Sequence, residues 1–98
     1  MSRLPPLPPV KGARWVREEY WVEGEHWVEW HLVSDVSVPC SSGVGRTVTL
    51  GRIWREPDGT WEGVANGLGV WGRNGFDAAV WVARCARKVL RLAKEAKP

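Results

Sequence analysis

The dipeptide Trp-Val recurs at Trp15-Val16, Trp21-Val22 and Trp27-Val28, once every six residues. Six is a multiple of the two-residue strand period and not of the 3.6-residue helical one, so the stretch reads as strand with like side chains on one side. A turn at Gly24-Glu25 makes it a hairpin in which Trp15 and Trp21 share a face with Val28, Trp30 and Leu32. Glu18, Glu29 and His31 then fall on the opposite face. An isolated hairpin is marginal in water, so the apolar face demands a cover from elsewhere in the chain. The indoles are read as core; the rarer use of such a cluster is a stacking platform for bases or sugars.

The remaining residues supply that cover. The run "TVTLGRIWREPDGTWEGVAN" predicts a second hairpin with Glu56-Pro57-Asp58-Gly59 at its tip, Pro presetting one turn dihedral and Gly supplying the positive φ of a bulged type I turn. Gly67 and Gly69 precede a short strand at Val70-Trp71, and Gly72-Arg73-Asn74-Gly75 lead into a helix from Asp77, its expected cap, to Lys94. Ala78, Val82, Cys85, Ala86, Val89, Leu92 and Ala93 form its apolar stripe. The expected fold is α+β: a small antiparallel sheet of four to five strands with one C-terminal helix packed across one face. Ninety-eight residues leave room for a single core, assigned to residues 13–98 behind a flexible proline-rich tail at 1–12. Arg3, Pro6 and Pro9 fit the spacing of ligands for proline-binding signalling domains, but a plain terminal linker is the preferred reading.

Several chemistries are set aside. No apolar run reaches the ~18–20 residues of a bilayer span, and the start lacks a signal-peptide pattern, so no membrane and a cytoplasmic location are expected. Cys40 and Cys85 read as two reduced thiols. His26 and His31, five apart, point to opposite strand faces without cysteines at ligand spacing, and no metal or other cofactor is expected. "SSGVGR" in the loop Val38–Thr47 lacks the Walker spacing and is followed by β-branched residues rather than a helix, which favours a connector. No nucleophile, base and acid stand at motif spacing, so no catalytic residue is named and a non-enzyme is expected. Eight Trp, abundant Arg and the absence of Gln suggest a GC-rich, hot-environment microbe or its virus.

Charge is segregated along the chain. Residues 13–36 carry Glu18, Glu19, Glu23, Glu25, Glu29 and Asp35 against Arg14 and Arg17. Residues 76–98 reverse this, with Arg84, Arg87, Lys88, Arg91, Lys94 and Lys97 against Asp77 and Glu95. Cations late in a helix complement its dipole, and a basic face also suits nucleic acid or an acidic protein partner.

Residues Leu50–Leu90 resemble a three-stranded DNA-binding module with one packing helix, the arm-site-binding domain of tyrosine recombinases and the plant ethylene-response-factor type domain. The likeness rests on Gly51, Ile53, Pro57-x-Gly59-x-Trp61, Gly63, Val70-Trp71, Phe76-Asp77, and Ala79 with Ala83. It implies that the sheet enters the major groove, with Arg52, Trp54, Arg55, Trp61, Trp71 and Arg73 as contacts. Glu56 and Glu62 depart from the basic pattern of that strand pair and repel phosphate. The HicB-like antitoxin shape, a small sheet crossed by a helix, is a related resemblance whose partner is a toxin protein.

The expected function is a small non-enzymatic nucleic-acid-binding accessory protein of microbial or phage origin, duplex DNA favoured. Arg52, Arg55, Arg73, Arg84, Arg87, Lys88 and Arg91 hold phosphates in this reading, and Trp54, Trp61 and Trp71 support them. The alternative is a protein interaction module, antitoxin-like or an inhibitor, with a homodimer as one form, acting through an exposed Trp-rich face or a sheet edge.

Overall fold

The computed structural model describes residues 7–35, 48–65, 68–72 and 75–95. Strands β1 (Ala13–Val22), β2 (Glu25–Ser34), β3 (Thr49–Arg55), β4 (Trp61–Ala65) and β5 (Leu68–Gly72) form one antiparallel sheet in chain order. Helix α1 (Gly75–Glu95) packs across β3, β4 and β5, giving the expected α+β architecture. Among the described residues no helix is long and apolar enough to cross a membrane. The Cys40 and "SSGVGR" readings lie outside the described residues.

The first turn sits one residue earlier than expected. Glu23 and Gly24 have φ of +50° and +81°, the two positive values of a type I′ turn, which favours Gly at its second central position. Moving a turn by one residue slides the pairing by two, so the face assignment survives: Trp15 opposes Leu32, Arg17 opposes Trp30 and Glu18 opposes Glu29. The second turn forms as the residues predict. Gly59 has φ +92°, its N–H donates to Glu56 O at 2.9 Å, and Asp58 Oδ1 accepts from Thr60 N and Oγ1 at 2.9 and 2.7 Å.

The core lies between α1 and one face of the sheet. Ala78, Ala79, Val82, Ala83 and Ala86 are fully buried against Leu32, Leu50, Ile53, Trp61 and Ala65. Small residues on both sides set the spacing: a Cβ on Gly51 would stand 2.5 Å from Val82 Cγ1 and 2.9 Å from Val64 O, and one on Gly63 would stand 3.2 Å from Ala78 Cβ. A bulge assists. Leu32 pairs with Gly51 and Val33 with Thr49, so Leu50 is the extra residue, and it is buried in the core.

Three expectations need correction. The helix starts at Gly75, so Asp77 lies in its first turn rather than at its cap, where its charge still meets the positive end of the dipole. The apolar stripe ends early, since Leu92 is exposed. Part of the supposed free tail is docked: Val10 is buried, Leu7 packs on the core, Pro8 O accepts from Trp15 Nε1 at 2.9 Å, and Pro9 O accepts from Arg87 at 2.8 Å. Proline lacks an N–H but keeps a free carbonyl, and these two carbonyls tie the segment to hairpin and helix. Residues 1–6 lie outside the described residues.

Candidate nucleic-acid interface

Strand periodicity divides the sheet candidates between two faces. Ile53, Gly63 and Trp61 face α1, and the register places Arg55 opposite Trp61, on that same side. Trp61 is 3% exposed and belongs to the core, which corrects its assignment as a nucleic-acid contact: no base can stack on it while α1 is in place. Arg55 is half-buried at the end of β3, on the face opposite Arg52 and Trp54. Trp71 occupies the register position opposite Glu62 in β5, and Arg73 lies outside the described residues. Of the proposed sheet readers with described side chains, only Arg52 and Trp54 share the open face.

That open face is acidic. Glu29, at 9% exposure, is held between Arg52 NH1 at 3.5 Å and His31 Nε2 at 3.2 Å, and His31 Nε2 also lies 3.5 Å from Glu18. His26 and His31 face opposite ways, as their spacing predicts, while Glu18, Glu29 and His31 bring one ligand atom each within 4.8 Å of one another. Within this group His31 Nε2 contacts both carboxylates, and Arg52 stands beside Glu29. Burial, followed by the charge of and hydrogen bonding to Glu29, pushes the Tyr20 hydroxyl above its usual range. Trp54 Nε1 donates to Glu56 Oε1 at 3.1 Å, and the Arg52 guanidinium lies 5.2 Å from the Trp54 ring centroid. Burial and then the neighbouring Glu56 raise the Glu62 carboxyl above its ordinary value. A surface that raises a carboxyl in this way is poor ground for phosphate.

The exposed side of α1 is the opposite. Arg84, Arg87, Lys88 and Arg91 stand there on successive turns, with Lys94 beyond them. Asp77 and Glu95, the only described acids of the helix, stand at its two ends. The carbonyl of Pro9 anchors Arg87 without neutralising it. Trp81, 42% exposed, joins this face and with Asp77, Val80 and Arg84 lines a shallow open hollow of about 220 Å³. Trp81 was missed among the sequence candidates. Its signal was an aromatic lying outside the stripe of Ala78, Val82, Cys85 and Ala86, where a helix of this type has no packing use for an indole.

Comparison with known proteins brings no match: no family model, no curated protein and no solved structure corresponds to this chain.

Proposed function

We propose that the protein is a non-enzymatic nucleic-acid-binding accessory protein that engages the phosphate backbone through the outer face of α1. The observation that carries this reading is the row Arg84, Arg87, Lys88 and Arg91, set together on one helix side with no acid between the helix ends. Fixed cations at helical spacing release counterions from a polyanion, and this requires no groove-reading side chain. Trp81 beside Arg84 adds an aromatic surface for a base or sugar. The sheet resemblance assigns contact to the opposite surface. The acidic surroundings of Arg52 and Trp54, and the burial of Trp61, favour the helix over it. A cytoplasmic setting with Cys85 as a free thiol belongs to the same reading.

Fluorescence anisotropy with labelled duplex and single-stranded DNA at rising salt tests the proposal. Log K should fall linearly with log salt, at a slope of about 0.9 per neutralised phosphate on duplex. Roughly three or four contacts from the helix row therefore give a slope of about 3. Absence of binding to either form in dilute buffer would end the reading.

A further inference from the structure

Among the described residues the outer edge of β1 is the long open edge of this sheet. β1 runs ten residues, pairs with β2 without a register shift, and contains no proline, bulge or lysine to blunt its free side. Val22 and Glu25 flank the two-residue turn and form a hydrogen-bonded pair, so the even residues of β1 turn their backbone groups toward β2. Trp15, Arg17, Glu19 and Trp21 therefore present N–H and C=O outward, and among the described residues no strand pairs with them. Val16, Tyr20, Trp21 and Val22 are also exposed, Trp21 to 71%.

We propose that this edge pairs with the β1 edge of a second copy, antiparallel about a two-fold axis through Glu18, to make a continuous sheet across both copies. The order of side chains selects both partner and register. Centring on Glu18 places Arg17 opposite the other copy's Glu19, Trp15 opposite its Trp21 and Val16 opposite its Tyr20. The outward-facing odd residues become the hydrogen-bonded pairs, as an antiparallel ladder requires. Sliding one copy by two residues sets Arg17 against Arg17 in one direction and Glu19 against Glu19 in the other, both repulsive. Pairing through Glu18 also gives exposed Trp21 an apolar neighbour, Trp15, already flanked by Pro8. The single mismatch is Glu18 against itself, with His31 Nε2 3.5 Å from the carboxylate in each copy. This inference is independent of the nucleic-acid reading, since β1 and the cationic face of α1 are separate surfaces.

Sedimentation of the full chain over a wide concentration range tests it. The wild type should form a dimer. Arg17→Glu and Glu19→Arg should each be monomeric, because each sets like charges across the axis, yet retain the wild-type circular dichroism spectrum because both positions are exposed. Mixed in equal amounts, the two variants should associate, since the two carboxylates of one variant then face the two guanidinium groups of the other. A restored ion pair within one chain cannot produce that rescue. Glu19→Pro, which removes an N–H pointing away from β2, should also yield a folded monomer, and Glu18→Gln should tighten the dimer severalfold. A wild type that stays monomeric throughout, single variants that dimerise as well as the wild type, an unrescued mixture or a dimer that survives Glu19→Pro would each overturn the proposal.

Discussion

The half of the sheet beneath α1 and the β1–β2 ribbon beside it are built on different terms. Under the helix, side chains are small or fully enclosed: Gly51, Gly63, Ala65, Ile53 and Trp61 meet Ala78, Ala79 and Val82 with no exposed surface between them. Each large side chain enclosed there contributes about 1.5–3 kcal/mol. In the outer ribbon every residue from Val16 to Glu25 is exposed. It is held by its ladder, by cross-strand contacts of His26 with Glu19 at 2.7 Å and with the stacked Trp21 at 4.8 Å, and by Arg17 donating to Glu19 at 2.7 Å along β1 itself. Hydrogen bonds from Arg17 and then His26 hold the Glu19 carboxyl below its usual value. The covered half carries the stability, and the ribbon is left free to carry an edge and an exposed indole.

Substitutions should separate the two regions sharply. Trp61→Ala leaves a cavity beneath α1 and should cost about 3–5 kcal/mol in urea unfolding. Gly51→Ala, whose new methyl collides with Val82 and the Val64 carbonyl, should cost about 1–3 kcal/mol. Glu62→Gln on the open face should raise the melting temperature at neutral pH. Because the folded-state pKa of Glu62 is raised, its stabilising contribution is full below the ordinary value of 4.5 and is lost as pH rises through the folded value. The advantage of Gln should therefore vanish in acid, and thermal melts at the two pH values check it. Trp21→Ser, in the ribbon, should shift stability by no more than about 0.5 kcal/mol when measured at monomer-forming dilution. A loss comparable to that of Trp61→Ala would show the exposed end of the ribbon to be part of the core.

The same division shows how far the residues alone could be read. The six-residue Trp-Val period gave the ribbon and its faces, and Pro57-Asp58-Gly59 gave the second turn, because both signals are local. The turn position differed because type I′ geometry prefers Gly24 second rather than first. Alternation divides the sheet candidates between two faces: Trp54 and Arg55 are neighbours in sequence and cannot share a face, and Trp61 is tied by register to Arg55. The docking of Leu7–Val10 was not legible either, since it depends on Trp15 and Arg87, 7 and 78 residues away from their acceptors. Segregation of charge made the basic face of α1 legible as a face, without separating its dipole complement from a contact surface. Alternation alone put Glu18, Glu29 and His31 on one face of the first hairpin; what it could not give was the β2–β3 register that brings those carboxylates to the same face as Arg52, Trp54 and Glu62.

The decisive measurement is duplex DNA affinity, compared at low salt and followed through a salt series, for Arg84→Glu/Arg91→Glu beside Arg52→Ala. The helix variant should lose affinity by at least about tenfold and show a shallower salt slope, and Arg52→Ala should bind within about twofold of the wild type. Equal or greater loss at Arg52, with the helix variant unchanged, would place the contact on the sheet and contradict the assignment to α1.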